Sequence, residues 1–577
     1  MDFRQLKRNL KKDVSYLPVV KSALLGDSAT QFLSQAIIGA AIEKGFNINL
    51  FEADYNQIER QLLDPSSELY QFNPEYVIIF QSSHHLLELH AKMQPEERTG
   101  LADQRIDFIK EIANSPILSG KKIIYFNYYE IDDKVFGNYA NKIESSFIYQ
   151  LRKLNFSLMQ LASEIPNLFI ADIAAIESKY GRDFIFSPNI YTTTDVILSL
   201  DVLPIVAFNV VDIIQAIRGT FKKCLIVDLD NTIWGGIIGD DGLEGIQLGH
   251  GLGIGKSFSE FQLWIKKLKQ RGIIICVASK NNEETAKDPF LRHPEMEISL
   301  DDIAVFQANW DSKVDNIRTI QSILNISFDS MVFLDDNPFE RNIVRENIPG
   351  ISVPELPEDP ALYLEYIYSL NLFETASTSG EDSKRTKQYQ TEAKRVSVSK
   401  TFKNEDDFLK SLDMKSIARE FSKFDIPRIA QLSQRSNQFN LRTVRYTEEQ
   451  VNNIADNHDI IGLSFTLEDK FGDNGLICVV VLKPVNRTDL FIENWFMSCR
   501  VLKRGMEKFV LNFIVEIAKQ RGYKRILGEY IPSKKNQLVE NHYPSLGFKT
   551  ENISKEHSNF YLLVSDFIPL KNNITRK

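Results

Sequence analysis

Two aspartates separated by one residue are the most chemically suggestive pair in this chain of 577 residues. Asp228 and Asp230 lie in the run DLDNT, directly after the apolar run KCLIV, which predicts a buried strand. Carboxylates are costly to bury at a strand end without a cation, so we expect Mg²⁺ there. Asp228 could then attack phosphorus to form an aspartyl-phosphate, while Asp230 could protonate the leaving group and later activate water.

Three further segments offer side chains for the same chemistry. Ser279 ends the predicted strand IIICVAS and could hydrogen-bond a phosphoryl oxygen, and Lys313 begins a predicted helix and could neutralise phosphoryl charge. Asp335 and Asp336 end the predicted strand MVFLD and could complete a Mg²⁺ site with the two earlier aspartates. A DxD pair alone is equally well explained as an exposed turn, but four elements in this order favour a phosphoryl-transfer site.

Alternating strands and helices would bring these segments together, because the carboxyl ends of parallel strands meet at one edge of a sheet. This alternation predicts one α/β domain over residues 1–215 and a second over 216–372. Residues 373–415 are polar and charged, which predicts an exposed, partly helical linker. Residues 416–577 change to strands with a few helices, which predicts an α+β domain and an α/β multidomain chain overall.

Composition excludes several classes of protein. Hydrophobic residues make up 43% of the chain and charged residues 25%, as in ordinary globular proteins. The net charge of -9 gives no general attraction to nucleic acid or anionic membranes, so we predict neither as a partner. The four cysteines form no CxxC pair, and we find neither a signal peptide nor a membrane span, so we expect a cytoplasmic protein.

The four motifs resemble those of the haloacid dehalogenase (HAD) superfamily, matched by DLDNT, the Ser of ASKNN, the Lys of WDSK and LDDNPFE. Together with NQFN (437–440) and FMSCRVLKRGME (496–507), the stretch DLDNTIWGGIIGDDGLEGIQLG resembles the FkbH-like, HAD-IIIC branch. The resemblance implies a HAD Rossmann-like domain that dephosphorylates 1,3-bisphosphoglycerate and loads glyceryl onto an acyl-carrier-protein thiol. We assign substrate-binding roles to Thr232, Trp234 and Asn281, although Trp234 is equally well explained as a core residue.

The strand DLFIENWFMS and the following CRVLKRGMEKFVLNFIVEIAKQRGY resemble the GNAT acyltransferases, in which a loop and helix N-terminus cradle the pyrophosphate of coenzyme A. The resemblance implies binding roles for Arg500, Lys503, Arg504 and Gly505. Because RGME replaces the usual glycine-rich signature, a carrier's phosphopantetheine arm is favoured over free acyl-CoA. Cys499 lies in an electropositive setting and could hold a glyceryl thioester, but a buried, inert cysteine explains it equally well.

In the first domain, the run LLGDSAT resembles the first block of SGNH hydrolases, in which the serine is the nucleophile. Asp27 and Ser28 would belong to this block, and Asn127 could serve the oxyanion. The expected Asp-x-x-His near the end of the domain is missing, so we expect a degenerate SGNH-like binding or docking domain. The three histidines of a predicted polar helix should face solvent: His84, His85 and His90.

Three functions therefore stay open. The first is a Mg²⁺-dependent phosphohydrolase and glyceryl transferase that acts on a phosphorylated three-carbon substrate and passes the acyl group to an acyl-carrier-protein or enzyme thiol. The second is a sugar-phosphate phosphatase fused to a GNAT-type acyltransferase in surface-polysaccharide biosynthesis. The third is a single phosphatase with carrier-docking modules.

Overall fold

The computed structural model describes residues 1–378, 382, 385–399, 401–533, 535–554 and 556–577, apart from the side chain of Ser397. The chain divides into two compact units, Met1–Gln215 and Ala216–Lys577. Both contain helices and parallel strands, which confirms the predicted α/β multidomain class. Within the described residues, no helix combines the length and the apolar character that crossing a bilayer requires.

The first unit is built on a parallel sheet with the order β2-β1-β3-β4-β5. Its strands are β1 (Val19–Gly26), β2 (Asn47–Glu52), β3 (Tyr76–Phe80), β4 (Lys122–Phe126) and β5 (Leu168–Ala171). Its helices are α1 (Phe3–Asn9), α2 (Gln31–Glu43), α3 (Ile58–Leu63), α4 (Glu68–Phe72), α5 (Ser83–Lys92), α6 (Leu101–Ala113), α7 (Phe147–Glu164), α8 (Ile173–Tyr180), α9 (Arg182–Ile185), α10 (Pro188–Thr194) and α11 (Leu203–Ile217). The central β3 is buried along its whole length, because helices cover both faces of a parallel sheet.

The second unit begins with a parallel sheet of order β8-β7-β6-β9. Its strands are β6 (Cys224–Val227), β7 (Ile274–Ser279), β8 (Ile303–Ala308) and β9 (Met331–Leu334). Its helices are α12 (Ile238–Gly245), α13 (Ile254–Gln270), α14 (Glu283–Arg292), α15 (Lys313–Leu324), α16 (Pro338–Asn347) and α17 (Tyr363–Leu370). Strand order reverses between β6 and β9, and α/β sheets bind ligands at the carboxyl ends beside such a reversal.

A second sheet of this unit has the order β16-β17-β15-β14-β13-β12-β10-β18, with β11 also paired to β12. Its strands are β10 (Met414–Ser416), β11 (Ala418–Glu420), β12 (Ile461–Asp469), β13 (Gly472–Pro484), β14 (Asp489–Met497), β15 (Arg525–Tyr530), β16 (Lys549–Ile553), β17 (Ser558–Leu563) and β18 (Ile574–Arg576). The helices of this region are α18 (Arg385–Ser399), α19 (Glu405–Ser411), α20 (Ile426–Arg435), α21 (Glu448–Asp456), α22 (Met506–Gln520) and α23 (His542–Ser545). Strands β14 and β15 run parallel, whereas β12, β13 and β14 are antiparallel to their neighbours in turn.

Helix α18 lies in the segment predicted to be an exposed linker, and for this helix the prediction is wrong. Tyr389 and Arg395 on α18 are 5% and 3% exposed. Tyr389 packs into the apolar cluster beneath β6 and β7, and Arg395 forms an ion pair with Asp469 of β12 at 2.8 Å. Polar composition predicted exposure, but ion pairs and one tyrosine bury the helix between the two sheets. Residues 379–381, 383–384 and 400 of the predicted linker lie outside the described residues.

Candidate active site and thiol cavity

Three of the predicted site residues follow or end neighbouring strands. Asp228 follows β6, Ser279 is the last residue of β7, and Asp335 follows β9. The backbone N–H of Asp228 donates to the Leu334 carbonyl at 2.9 Å, so the pairing of β6 with β9 continues up to the site. This edge is therefore held by the sheet itself and not by mobile loops.

Lys313 reaches the same edge from the start of α15. The Ser312 side chain caps this helix by accepting a hydrogen bond from the Asp315 N–H at 3.1 Å, which places Lys313 in the first helical turn. Its ammonium, 3% exposed, pairs with Asp228 and lies 2.9 Å from a carboxylate oxygen of Asp335. The lysine is thus the buried cation of this edge.

Oxygen atoms of Asp228, Asp335 and Asp336 lie within 4.8 Å of one another. Asp228 and Asp335 are buried and Asp336 is half-buried. Carboxylate oxygens at this spacing are the ligands that Mg²⁺ prefers. With Lys313 as the only cation paired to them among the described residues, the cluster keeps an excess negative charge. The donor set therefore fits a bound divalent cation.

The pKa values show the same imbalance. Burial, and next the charge of Asp228, raise the pKa of Asp335 to about 6, although Lys313 opposes the shift. Burial and Asp228 also raise the pKa of Asp336. Burial alone would lower the pKa of Lys313, but the two carboxylates outweigh it and the pKa is raised. A divalent cation would relieve this repulsion between carboxylates.

The Asp230 side chain lies outside the carboxylate cluster, and its predicted role as a metal ligand stays a prediction. Its carboxylate accepts hydrogen bonds from Trp234 Nε1 at 2.9 Å and the Ile238 N–H at 3.0 Å. Between the two aspartates and Trp234 the chain turns at Asn231, whose φ is +52°. Burial raises the pKa of Asp230 against these hydrogen bonds, which suits a group that must donate a proton.

Trp234 is fully buried in the apolar core, so of the two explanations offered by the sequence the structure favours the core residue. Its indole N–H nevertheless fixes the orientation of the Asp230 carboxylate. Asn281 has a similar contact, since its amide donates to Asp230 at 3.2 Å. Thr232 is fully buried and accepts a hydrogen bond from the Asp336 N–H at 3.1 Å. These three residues position the acids, and binding of substrate by Thr232 and Asn281 stays a prediction.

Arg341 is a site residue that the sequence analysis missed. Its guanidinium donates to the backbone carbonyls of Asp335 (2.8 Å) and Asp336 (2.6 Å) and also pairs with Glu355 at 2.9 Å. It thus clamps the loop that carries two of the three clustered carboxylates. The signal was present as the Arg at the end of DDNPFER, six residues after Asp335, but its contacts are to the backbone and leave no motif of their own.

A cavity of about 450 Å³ lies at the opposite edge of the same sheet. It opens beside the residues that precede β6, begin β7 and precede β9, and α18, α20 and the segment after β14 form its other walls. The segments NQFN and SCRV, both quoted above for the FkbH-like resemblance, contribute to these walls. The lining residues used below are Lys223, Asp329, Arg385, Tyr389, Arg428, Arg435, Ser436, Gln438, Cys499, Arg500 and Lys535.

Cys499 lines this cavity and is partly exposed, whereas Cys224, Cys276 and Cys478 are fully buried. It packs against the apolar cluster that contains Tyr389, and its backbone carbonyl accepts from Asn325 at 3.1 Å. The thiol therefore faces a cavity, and the bland explanation of a sealed core cysteine does not apply to it.

The predicted pyrophosphate loop is partly committed to internal contacts. Arg504 is buried and pairs with Glu392 of α18 and with Asp469 at 3.2 Å. Arg500 donates to Gln388 and, at 3.3 Å, to the Ser498 hydroxyl. The loop thus joins α18 to β12, and Arg504 is a structural link and not an available anion ligand.

Two other residues of this loop have backbones in the left-handed region. Lys503 is exposed with a φ of +63°, and Gly505, at the start of α22, has a φ of +77°. A ligand could still meet these two, and their binding roles stay predictions.

Beyond Ile492 and Gly528 the parallel strands β14 and β15 separate, and a chain segment fills the gap. The Leu441 N–H donates to the Trp495 carbonyl at 3.1 Å, and the Leu441 carbonyl accepts from the Ile531 N–H at 2.9 Å. Asn536, fully buried, donates to the Asn440 carbonyl at 3.0 Å. The strand edges are already paired here, so an extended acyl-CoA arm would have to displace this segment.

Comparison with known proteins assigns the first unit and the following phosphatase-like region. The family described as FkbH, N-terminal domain, matches residues 21–215. The N-terminal part of the protein BF1531 from Bacteroides fragilis, which contains a phosphatase domain and was crystallised with Mg, is 60% identical. It covers 65% of this chain and 100% of its own, with a TM-score of 0.64. The chain belongs to the BF1531 family.

More distant solved structures resemble a quarter of this BF1531-family chain. The ribosomal-protein-S18-alanine N-acetyltransferase from Escherichia coli is 14% identical, covering 26% of this chain and 94% of its own, with a TM-score of 0.21. The GNAT domain of S. lividans PAT is also 14% identical, covering 25% and 89%, with the same TM-score. No curated protein gives a significant match.

In the first unit of this BF1531-family chain, the expectation that three histidines face solvent is wrong. His85 is half-buried between Asp27 (3.7 Å) and Asp195 (3.5 Å). The interaction with the Asp27 carboxylate outweighs burial and raises the pKa of His85 to about 9. His84 bonds the Tyr129 hydroxyl at 2.7 Å, and the mostly buried His90 bonds the Ser145 carbonyl at 2.9 Å. Helix α5 packs this face inward, which composition alone did not reveal.

The predicted SGNH-type residues have mixed placements. Asp27 accepts the Ser82 N–H through both oxygens, at 2.9 and 3.0 Å. Ser28 is 1% exposed, and its hydroxyl has no hydrogen-bond partner among the described residues. Asn127 donates to Asp172 at 2.7 Å and accepts the Ala174 N–H at 3.1 Å, so it secures the start of α8. No comparison tests the SGNH resemblance or an activity of this domain, and both stay predictions.

Proposed function

We propose that this chain is a Mg²⁺-dependent phosphohydrolase of HAD type. The observation that most directly supports this function is the cluster of Asp228, Asp335 and Asp336 beside the buried Lys313, at the carboxyl ends of β6 and β9. The Mg-bound phosphatase domain of the BF1531 part, 60% identical, supports the same reading. Mg²⁺ held by the three carboxylates would neutralise charge on the phosphoryl oxygens.

The residues around the cluster have the character that each step needs. Asp228 attacks phosphorus, so an aspartyl-phosphate bond forms as the bond to the leaving oxygen breaks, and Asp230 gives its proton to that oxygen. Water then attacks the phosphorus, Asp230 takes the proton of the water, and phosphate leaves. Lys313 and Ser279 orient the phosphoryl group. Burial raises the pKa of Asp230, which is the direction that a proton donor needs.

We further propose that the phosphatase is coupled to acyl transfer. The Cys499 thiolate attacks the carbonyl carbon of an acyl phosphate of a three-carbon substrate, so the thioester forms as the bond to the phosphate oxygen breaks and phosphate leaves. An acyl-carrier-protein thiol then takes the glyceryl unit, which frees the Cys499 thiol. Two observations support this. Cys499 is the cysteine that reaches a cavity among the described residues, and it lies there beside both FkbH-like segments. A phosphopantetheine arm on the carrier is the acceptor consistent with this cavity.

The alternative of a sugar-phosphate phosphatase fused to an acyl-CoA-dependent transferase has less support. The gap between β14 and β15 is filled by residues 440–441, and Arg504 is engaged by Glu392 and Asp469. The third alternative, carrier docking by residues 1–215, remains a separate proposal that deletion of those residues would test. We expect deletion to leave phosphate release intact if this region only docks the carrier.

The test uses the full chain with Mg²⁺ and 1,3-bisphosphoglycerate, followed by phosphate release and intact-protein mass. We expect Asp228→Asn to lower phosphate release at least about a thousandfold, because the nucleophile is lost. Asp301→Asn, on an exposed acid, serves as the matched control. A glyceryl adduct on wild type that Cys499→Ala lacks would support the acyl transfer. Phosphate release without any adduct would leave the phosphatase and refute the transferase, and full activity in Asp228→Asn would refute both.

A further inference from the structure

The cavity beside Cys499 carries a strong excess of positive charge. Its cationic lining residues are Lys223, Arg385, Arg428, Arg435, Arg500 and Lys535. Among the described residues, the neighbouring carboxylates are Asp329, which pairs with Lys535 at 2.5 Å, and Asp382, which pairs with Arg385 and Arg435. Cations therefore outnumber carboxylates, and desolvated arginines and lysines in a concave site bind phosphate or carboxylate groups.

Lys223 is the cation with the least internal compensation. Its ammonium donates to the Arg435 backbone carbonyl at 2.9 Å, and no described carboxylate lies within 4 Å of it. Burial lowers the pKa of Lys223 to about 8, while the neighbouring Cys499 acts in the opposite direction. Lys223 is half-buried, and besides the carbonyl its ammonium lies 5.5 Å from the centroid of the Phe221 ring. A partly desolvated ammonium without a counter-charge makes an anion in the cavity favourable.

Uncharged lining groups also lack partners. Ser436 is 5% exposed, yet its hydroxyl has no hydrogen-bond partner among the described residues. The side-chain oxygen of Gln438 and the Nε of Arg435 are in the same state. Buried polar groups are normally hydrogen-bonded, so a donor and acceptor left open on the wall of one cavity indicate a missing ligand.

We propose that this cavity is a second ligand site, in which Lys223, Arg435 and Ser436 bind a small phosphorylated compound beside the Cys499 thiol. A volume of about 450 Å³ is within the range of small-molecule sites. The site is separate from the carboxylate cluster, because Lys223 precedes β6 whereas Asp228 follows it. The inference extends the proposed acyl transfer, for it gives the substrate a binding place at the thiol itself.

The same geometry sets a pH dependence for binding. The titratable and charged groups facing Lys223 and Cys499 are Tyr389 on α18, Arg385, Arg435, Arg500, Lys535 and Asp329. Burial raises the pKa of Tyr389, so its phenol stays neutral, and the paired Asp329 has a lowered pKa. Burial also lowers the pKa of Arg435 to about 9. Lys223 and Arg435 are thus the cations that lose charge as the pH rises above about 8, and binding of an anion should weaken over that range.

The experiment measures protection of the Cys499 thiol from iodoacetamide, read by intact-protein mass. It uses the full chain as Asp228→Asn without Mg²⁺, so that the phosphatase cannot consume the probe. The probe is 3-phosphoglycerate, and glycerate, which lacks the phosphate, is its matched control. Cys499→Ala defines the background from the three buried cysteines. The protecting concentration is measured at pH 7 and pH 9, which separates ligand binding from the changing reactivity of the thiol.

We expect 3-phosphoglycerate to protect at a concentration at least about tenfold below that of glycerate, and less well at pH 9 than at pH 7. Lys223→Met and Ser436→Ala should each raise the protecting concentration about tenfold, while Lys223→Arg keeps most of the protection. Lys519→Met and Ser565→Ala, both on exposed residues, should match the parent.

Equal protection by the two compounds, or wild-type protection in both Lys223→Met and Ser436→Ala, would overturn the proposal. A melting temperature for each variant shows that it is folded. Because the assay needs no turnover, its failure is distinct from failure of the proposed function. If 3-phosphoglycerate protects the thiol but no glyceryl adduct forms, acyl transfer is refuted and the second ligand site is retained. If an adduct forms but protection does not depend on the phosphate, the second ligand site is refuted and acyl transfer is retained.

Discussion

Lys223 and Asp228 bracket the same strand, β6, with four residues between them. At about 3.3 Å per residue, their backbones are about 16 Å apart. The carboxylate cluster and the thiol cavity therefore open at opposite edges of one sheet. A three-carbon unit held at one edge cannot reach the other, so the proposed phosphate removal by Asp228 and the proposed loading of Cys499 would take place at separate sites.

Arg341→Lys should weaken metal binding without unfolding the protein. Lysine keeps the charge but cannot span the carbonyls of Asp335 and Asp336 while also holding Glu355. Loss of an outer support of this kind lowers metal affinity by about 10- to 100-fold. The measurement is the Mg²⁺ concentration for half-maximal phosphate release. Arg345→Lys, which pairs with the same glutamate from an exposed position, is the control. An unchanged Mg²⁺ requirement would show that Arg341 does not position the acids.

Lys313→Met should lower both activity and stability. A methionine side chain has nearly the same shape as lysine but no charge, so Asp228 and Asp335 lose their buried cation. Breaking such a pair costs about 3–5 kcal/mol, and phosphate release should fall about 100-fold or more. We expect a lower melting temperature without Mg²⁺ and a larger rise on adding Mg²⁺ than wild type shows. If adding Mg²⁺ does not change the melting temperature of Lys313→Met, the three carboxylates do not form a Mg²⁺ site.

His85 should make the first unit less stable at alkaline pH. Its pKa is about 9 when folded, above the usual value near 6.5, chiefly through the interaction with the Asp27 carboxylate. A raised histidine pKa stabilises the fold fully below about pH 6.5, and this contribution, up to about 3 kcal/mol, is lost as the pH rises through about 9. His85→Gln should melt lower than wild type at pH 6 and approach it at pH 9.5. A constant difference across this range would assign the effect to packing.

Arg504→Met should loosen α18 from the second sheet. The buried Asp469 and the neighbouring Glu392 would then share Arg395 as their remaining partner among the described residues. The free energy of unfolding should fall by about 3–5 kcal/mol, which would be measured as a lower melting temperature and faster hydrogen exchange in α18. Arg504→Lys, which retains the charge, should lose less. If both variants keep the wild-type melting temperature and hydrogen exchange, the ion pairs of Arg504 do not hold α18 against the second sheet.

The sequence predicted the strand ends because a parallel sheet leaves few alternatives for them. An apolar run followed by an acid places Asp228 and Asp335 at one edge wherever β6 and β9 pair. It did not predict that Asp230 turns away from this cluster, since that depends on the left-handed backbone of Asn231 and on the indole of Trp234. Spacing fixes which edge a residue occupies, but the path of the loop fixes where its side chain points.

Burial of α18 escaped prediction for a different reason. Its residues are mostly polar, and Tyr389 is its residue in the buried apolar cluster. Its other contacts include the ion pair of Arg395 with Asp469 and the hydrogen bond from Gln390 to the Ile303 carbonyl, whose partners are distant in sequence. Periodicity detects an apolar stripe but cannot detect a charge whose partner lies elsewhere in the chain. The cavity was missed for the same reason, because Lys223, Ser436 and Cys499 meet only after both sheets pack.

The cavity beside Cys499 is lined by residues from two separate portions of the chain. Lys223 and the floor come from the first sheet of the second unit, but Tyr389, Ser436 and Cys499 all come from residues after 385. The carboxylate cluster is complete before that point. Exchange of the C-terminal portion between related chains would thus leave the carboxylate cluster whole but make a chimeric cavity at the thiol. The two sites can therefore diverge in evolution at different rates. Lys223 is the exception, because it lies in the N-terminal portion but must fit a cavity that the C-terminal portion completes.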